Sequence, residues 1–277
     1  MVIDFHTHSF PDELADRAVG RLAQSGGIHN YLDGRVTSIQ KSMKKAGIDY
    51  SILLPIATKP SQHTTINDIA VTTNDTFRES GLISFGTIHP DNEDYRDILR
   101  NLSKNGVPGI KLHPVFQRTN IDDPRYLNII SCAFDNDLIV SIHCGKDISF
   151  PNCDEASVER IANMIKEVPP RKLVLAHMGG WGMYNEVCDK LIGTPGVWLD
   201  TAFVLRNSPD FYFLSKEKFV DMVRTHGTDH ILFGTDSPWS DQSEALKLIR
   251  ESGLNNDEIR MILGDNAARL LDTFFSH

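Results

Sequence analysis

The stretch that decides the fold is residues 172–177, Lys-Leu-Val-Leu-Ala-His, an apolar run that ends in a single imidazole. Residues 138–143, Leu-Ile-Val-Ser-Ile-His, repeat the pattern. Short runs rich in large apolar residues are typical of buried parallel strands. Strand-like runs recur along the whole sequence, at 2–6, 50–54, 82–88, 109–113, 138–143, 172–177, 197–201 and 230–235.

The segments between these runs have helical periodicity. After the fifth run, Val158, Ile161 and Ile165 recur at helical spacing. Asp123-Pro124 is typical of a helix start, because aspartate caps the helix and proline suits its first position. Alternating strands and helices without a linker predict an α/β fold, a (β/α)8 TIM barrel forming one domain over 1–277.

Two segments depart from the plain repeat. Residues 9–38 form an insertion after the first strand, with a helix predicted around 12–23. Residues 255–274 follow the eighth helix and predict one or two further helices, with a break at Gly264. An insertion after a strand lies on the active-site side of a barrel, and the terminal helices are expected to close one face.

Composition excludes several classes of protein. The net charge is −9 without a basic cluster, which argues against nucleic acid as the main ligand. No run is apolar enough to span a membrane, and the first residues lack a secretory pattern, so a cytoplasmic protein is expected. The four cysteines show no Cys-x-x-Cys spacing and are expected to be reduced thiols.

Histidines cluster at the ends of the predicted strands. Barrel enzymes assemble their chemistry at the C-terminal ends of the strands, whereas histidines that serve only in packing should scatter. Six of the eleven histidines lie at or just past such an end: His6, His8, His89, His113, His143 and His177.

A metal site is the chemistry that this clustering predicts. Strand alternation places His6 and His8 on one face, although a His-x-His pair alone is a weak motif. His143, His177 and Asp236 each end a strand in the same manner. Several imidazoles and one carboxylate at one mouth suit a divalent metal, Zn²⁺ first, with Mn²⁺, Fe²⁺ or Co²⁺ as alternatives.

The sequence resembles the amidohydrolase superfamily, and within it the amidohydrolase-2 branch, which includes aminocarboxymuconate-semialdehyde decarboxylase. The resemblance runs from residue 2 to about 271, with its motifs in the family's order at strand ends. The motifs are Asp4-Phe-His6-Thr-His8, Gly109-Ile-Lys-Leu-His113-Pro, Ser141-Ile-His143, Leu175-Ala-His177-Met-Gly-Gly, Gly234-Thr-Asp236-Ser-Pro and Leu263-Gly-Asp-Asn-Ala-Ala-Arg-Leu.

This resemblance implies roles for individual residues. His6, His8, His143 and Asp236 are expected to be metal ligands, with Asp236 also acting as base. His177 is expected to polarise the substrate, or to bind a second metal. Lys111 and His113 occupy the ambiguous position: Lys111 could be carboxylated and bind metal, or pair with a substrate anion. One metal is expected rather than two.

The resemblance also implies a reaction. A metal-dependent hydrolase, which attacks an amide, ester or lactone carbonyl of a small molecule with metal-activated water, is the leading interpretation. A decarboxylase of a small unsaturated or aromatic acid is the alternative, because the branch contains both. A barrel that binds metal and ligand without turnover is a weaker alternative. A PHP-type phosphoesterase is disfavoured because Ser237 and Pro238 follow Asp236 where that family has a late Asp-x-His.

Substrate contacts are less well defined by the sequence. His113, Lys111, Arg118, Trp181 and Trp239 are candidates, since each lies at or just past a strand end. The cations could bind a substrate carboxylate. A homo-oligomer is possible.

Overall fold

The strands of the computed structural model, which describes residues 1–206 and 212–275, lie close to the predicted runs. All neighbouring strands within each sheet are parallel. The predicted strand 82–88 is divided at Phe85 into two pieces, β3 and β4. The strand segments are β1 Ile3–Thr7, β2 Tyr50–Leu53, β3 Leu82–Ser84, β4 Gly86–Thr87, β5 Gly109–Leu112, β6 Ile139–Ile142, β7 Leu173–Leu175, β8 Val197–Asp200 and β9 Ile231–Leu232.

Backbone hydrogen bonds close these strands into a barrel. One sheet has the order β1-β2-β3 and the other runs from β4 to β9, with β3 and β4 consecutive in the chain. At the remaining seam, Phe5 N donates to Phe233 O at 2.7 Å and His8 N donates to Ser237 O at 2.7 Å. The predicted (β/α)8 barrel is therefore confirmed.

Helices follow the strands as expected, including the predicted helix in the insertion. The Asp123 side chain caps α7 by accepting from Arg125 N, which agrees with the Asp-Pro signal. The helices are α1 Asp12–Gly26, α2 Val36–Ala46, α3 His63–Asp75, α4 Phe77–Ser80, α5 Tyr95–Lys104, α6 Pro114–Gln117, α7 Pro124–Asp135, α8 Val158–Glu167, α9 Tyr184–Lys190, α10 Lys216–His226, α11 Gln242–Arg250, α12 Asn256–Arg260, α13 Asn266–Leu270 and α14 Asp272–Phe275.

The barrel interior is apolar at one end and polar at the other. An apolar cluster takes residues from most of the strands, among them Ile3, Phe5 and Leu232. Leu270, Leu271 and Phe274 of the C-terminal helices belong to the same cluster. These helices pack against the N-terminal end of the barrel, so the opposite end carries the mouth.

The cysteines and the helices of the described residues have two further features. All four cysteines are free thiols. Over the described part of the chain, none of the helices has the length and apolar character needed to span a bilayer.

Candidate active site

Two histidines and one aspartate form a compact triangle at the mouth. His6 Nε2 lies 3.2 Å from His8 Nε2. Asp236 Oδ1 lies 3.1 Å from His8 Nε2 and 3.5 Å from His6 Nε2. The structure therefore brings together three of the four residues predicted as metal ligands.

The outer nitrogen of each imidazole has a hydrogen-bond partner that fixes its tautomer. His6 Nδ1 lies 2.8 Å from Asp200 Oδ2, and His8 Nδ1 lies 2.9 Å from Leu54 O. A carbonyl or an ionised carboxylate can only accept, so each Nδ1 carries the proton. Both Nε2 atoms then direct lone pairs into the triangle, where a cation would be required.

The local backbone brings these side chains to the mouth. The pairing of β1 with β2 shifts register between Asp4 and Thr7, where His6 lies. Asp236 has φ of 63°, a left-handed conformation that aspartate tolerates better than most residues. Its backbone N donates to His6 O at 2.8 Å, which ties the carboxylate to the histidine pair.

Asp4 is fully buried and forms hydrogen bonds with residues of other elements. Simple alternation would place its side chain beside that of His6. Instead Asp4 accepts from Thr235 Oγ1 at 2.6 Å and from Gln242 Nε2 at 2.8 Å. It also accepts from the backbone N of His6 at 3.3 Å. Burial raises the pKa of Asp4 to about 7, against the lowering effect of these hydrogen bonds. Asp4 therefore supports the backbone beneath the site.

A second imidazole pair lies beside the triangle. His143 Nδ1 is 3.1 Å from His177 Nε2. His143 Nε2 faces Lys146 O at 3.3 Å, and His177 Nδ1 faces Ala202 O at 2.8 Å, so these outer nitrogens carry the protons. The two inner nitrogens face each other as lone pairs unless a proton or a cation lies between them.

Charge in this site is set mainly by burial. Burial and the nearby charge of Lys111 lower the pKa of His6 to about 4, so its imidazole is neutral and able to bind metal. Burial raises the pKa of Asp236, but its polar contacts with the neighbouring imidazoles of His8, His6 and His177 outweigh this effect and hold the pKa below its usual value. Asp236 is therefore ionised at neutral pH.

Lys111 lies deep in the same site, with 1% of its surface exposed. Its Nζ is 3.4 Å from His6 Nε2. Among the described residues, none of the carboxylates lies within 4.0 Å of this amine. Burial lowers the pKa of Lys111, while Asp200 and Asp236 partly offset the effect. A buried amine without an acidic neighbour in contact is suited to a substrate anion or to carboxylation.

His113 lies next to the site but cannot share a metal with His143 in the observed arrangement. Its ring is stacked on that of His143, with centroids 4.1 Å apart and planes 9° apart. Lone pairs in parallel planes point alongside each other and do not converge on one ion. His113 Nδ1 accepts from Phe116 N at 3.4 Å, which leaves Nε2–H facing Asp147 Oδ2 at 3.7 Å. In this arrangement His113 is packed between Phe116 and His143, and its role toward metal or substrate stays a prediction.

The remaining candidates fall in different places. Arg118 is exposed in a groove formed by α1 and the loops after β5 and β6, and Phe116, whose ring is stacked on that of His113, lines the same groove. Trp181 is buried beside Phe203 and Tyr212. Trp239 is partly buried, and its N donates to Asp236 O at 2.9 Å. His89 accepts from Asp91 N at 3.2 Å and serves its own loop.

Asp200 is the residue whose importance the sequence understated. Besides accepting from His6 Nδ1, it accepts from His177 N at 2.9 Å and from Ala202 N at 3.0 Å. Burial alone would raise the pKa of Asp200, but the neighbouring His6, His177 and Lys111 have a larger, opposite effect and lower it to about 2. The position of Asp200 near the end of the predicted strand 197–201 was the sequence signal that could have indicated this role. The carbonyl of Leu54 and the loop residue Asp147 have no comparable signal in the sequence.

The triangle fits a metal ion by size as well as by ligand type. Two nitrogens about 2.0–2.1 Å from one tetrahedral Zn²⁺ are roughly 3.3 Å apart. The three separations in the triangle are 3.2, 3.1 and 3.5 Å. The pair His143 and His177, at 3.1 Å, also has a separation close to this value. Neutral imidazole with carboxylate is a ligand set typical of zinc and manganese.

A family model described as amidohydrolase matches residues 3–273. The chain belongs to the amidohydrolase family. With this membership the expectation of an enzyme is confirmed, and so is the suspected amidohydrolase-2 branch. No curated protein sequence matches the chain.

Solved structures with similar folds have low sequence identity. An uncharacterised TIM-barrel protein from Bordetella bronchiseptica is 17% identical, with a TM-score of 0.77 and 99% of each chain covered. A dihydroxybenzoic acid decarboxylase from Polaromonas, with bound manganese and the inhibitor 2-nitroresorcinol, is 15% identical, with a TM-score of 0.71 over 98% of this chain and 96% of that one. A putative 2-pyrone-4,6-dicarboxylic acid hydrolase from Pseudomonas putida is 16% identical, with a TM-score of 0.68 over 98% and 97%.

Asp200→Asn tests whether this carboxylate orients His6. The amide keeps the shape of the side chain but loses the charge, and it can present an N–H where His6 Nδ1–H needs an acceptor. We expect metal affinity to fall about 10–100-fold, as is usual for the outer partner of a metal-binding histidine. Competition with a chelator measures the affinity. Asp122→Asn is the matched control, because this carboxylate pairs with Arg160 and not with an imidazole. Equal losses in both variants would contradict the assignment.

Proposed function

We propose that this amidohydrolase is a metal-dependent hydrolase of a small carbonyl compound that carries a carboxylate. His6, His8 and Asp236 hold one divalent ion, with Zn²⁺ as the first choice. One member of the neighbouring imidazole pair supplies the fourth ligand, and the family resemblance assigns this role to His143. The observation that supports the proposal most is the triangle, whose sides of 3.1 to 3.5 Å join two inward lone pairs and one ionised carboxylate.

Asp236 is suited to act as the base. The bound ion would polarise the carbonyl and make water more acidic. The carboxylate of Asp236 is ionised, lies at the edge of the triangle and is more exposed than His6. It can accept the proton of the attacking water and then pass it to the leaving group.

His177 can support the developing negative charge only in one protonation state. Its Nδ1–H is already donated to Ala202 O, so Nε2 needs a second proton before it can donate to an oxyanion. His143 Nδ1, 3.1 Å away, would accept the hydrogen bond of that proton in the absence of substrate. If His143 binds the ion instead, the Nε2–H of His177 is left to the substrate.

Lys111 is the reason for proposing that the substrate carries a carboxylate. The amine is buried, lies beside His6 and has no acidic partner within 4.0 Å among the described residues. A buried positive charge is costly unless it is paired. An anionic substrate group would supply the missing partner. If Lys111 is carboxylated instead, it would bind a second ion and this argument for a carboxylate fails.

Decarboxylation is the second candidate, and the same lysine favours it. Lys111 Nζ lies 3.4 Å from His6 Nε2, so a carboxylate drawn to Lys111 would lie next to the ion. That carboxylate could then be the group that is lost. Hydrolysis is preferred here because Asp236 is held in its basic form, whereas protonation of a carbanion needs an acid.

Product analysis in ¹⁸O-enriched water separates the two reactions. The zinc- and manganese-loaded enzyme is incubated with 2-pyrone-4,6-dicarboxylate, with a panel of amides and esters that bear a carboxylate, and with 2,6-dihydroxybenzoate. We expect a product that gains one ¹⁸O and no release of CO₂. CO₂ release without incorporation of ¹⁸O would replace hydrolysis with decarboxylation. Asp236→Asn, prepared in parallel, identifies turnover by contaminating enzymes.

A further inference from the structure

Trp181 has a buried hydrogen-bond donor without a partner. The residue is 6% exposed, and its Nε1 has no hydrogen-bond acceptor among the described residues. Leaving such a donor unpaired costs about 1–3 kcal/mol, so most buried donors in proteins are satisfied. An unpaired donor in an active-site loop is therefore suited to a ligand.

The backbone of Trp181 is attached to the loop that carries His143. Trp181 N donates to Cys144 O at 3.0 Å, and Lys146 N donates to Trp181 O at 3.0 Å. The residue also lies four positions after His177. Trp181 is thus held between the two segments that provide the second imidazole pair.

A cation lies on the same side of the mouth. Lys146 Nζ is 4.5 Å from the ring centroid of Tyr212, and that ring is 6.1 Å from the ring of Trp181. No carboxylate of the described residues forms an ion pair with Lys146. An N–H donor and an ammonium group that forms no ion pair within the described part of the chain together favour an anionic oxygen.

We propose that Trp181 Nε1–H determines substrate specificity by donating to a second carboxylate of the substrate, distant from the reacting carbonyl, with Lys146 adding positive charge. This rests on the proposed function and deepens it, because it assigns the substrate to the dicarboxylates. Lys111 binds the first carboxylate of the substrate, and Trp181 binds the second. A substrate without an oxygen acceptor at this second position would leave the indole donor unpaired.

Binding of simple dicarboxylates tests this proposal without turnover. Isothermal titration of the zinc-loaded enzyme compares the linear dicarboxylates from malonate to adipate with the monocarboxylates of equal chain length. We expect at least one dicarboxylate to bind about ten times more tightly than its monocarboxylate, which corresponds to about 1.4 kcal/mol. Absence of any such preference in the wild-type enzyme would overturn the proposal.

Trp181→Phe keeps an aromatic ring and removes the donor. We expect it to abolish the preference for the dicarboxylate and to leave the affinity for the monocarboxylate unchanged. Trp198→Phe is the matched control, because Trp198 is also buried but packs against His230, away from the mouth. Lys146→Met should reduce the preference and its dependence on salt.

Two outcomes of these variants decide the matter. A dicarboxylate preference that survives in Trp181→Phe, or an equal loss in Trp198→Phe, would overturn the proposal. An enzyme that shows the preference but hydrolyses none of the compounds above keeps this inference and contradicts the proposed reaction instead.

Discussion

The double variant His6→Ala, His8→Ala is expected to retain well below one equivalent of metal after dialysis, and to lose turnover with it. The two imidazoles supply two of the three atoms in the triangle, through inward lone pairs fixed by Asp200 and Leu54. Losing an outer partner of a metal ligand costs about 10–100-fold in affinity, and losing two ligands should cost more. Elemental analysis of the purified variant measures the metal content.

A matched double variant controls for the loss of two histidines. His29 is exposed, and His63, the first residue of α3, bonds to Pro60 O just before that helix. We expect His29→Ala, His63→Ala to keep the full metal content of the wild-type enzyme. A His6, His8 variant with the full metal content of the wild type would show that other residues hold the ion. Circular dichroism of both variants confirms that the barrel is intact.

Much of the barrel could be predicted because its strands are continuous apolar runs. A parallel strand covered on both faces has to be apolar almost throughout, so runs such as 138–143 stand out from the helices. The strand predicted over 230–235 was the least accurate, because only Ile231–Leu232 forms a strand there, and the strand predicted over 82–88 is interrupted at Phe85 between β3 and β4. Side-chain pattern alone does not reveal such an interruption.

The sequence predicted those residues of the candidate site that lie at the ends of strands. His6, His8 and Asp236 follow from their positions at the ends of strands, and the structure brings them together. The register shift at Asp4 does not follow, because it depends on pairing with β2. Arg118, proposed from its position after a strand, lies exposed in a groove between loops, and its contact with substrate stays a prediction. The direction of a loop side chain is set by tertiary contacts.

The four tautomers make the site one connected unit. Each outer nitrogen is bound to a fixed acceptor, and the acceptors come from three segments of the chain. Asp200 and Ala202, at the end of β8, serve His6 and His177, while Leu54 after β2 serves His8 and Lys146 after β6 serves His143. The inner nitrogens therefore carry lone pairs before any ligand binds, because the fixed acceptors hold the protons on the outer nitrogens. Such an arrangement is stable only if cations or protons occupy the interior, which is the physical reason for a metal here.

Asp236→Asn should lower turnover about 10²–10⁴-fold while leaving the fold intact. The fold should survive because asparagine tolerates the left-handed backbone that residue 236 adopts, with φ of 63°. Turnover should fall because an amide cannot accept the proton of the attacking water, and general base catalysis is typically worth that factor. Rates at saturating substrate, measured with the metal content of the same sample, test this.

Metal content separates the two roles of Asp236. The amide oxygen of asparagine can still face His8, so we expect the variant to keep more metal than the His6, His8 double variant. Asp229→Asn, at an exposed aspartate on the far end of the barrel, is the matched control and should behave as the wild type. An Asp236→Asn enzyme with full metal and full activity would remove Asp236 from the role of base. If activity falls only in proportion to the metal content, each metal-loaded molecule is as active as the wild type. Asp236 would then be a ligand and not the base, because the base must be a group that the substitution leaves unchanged.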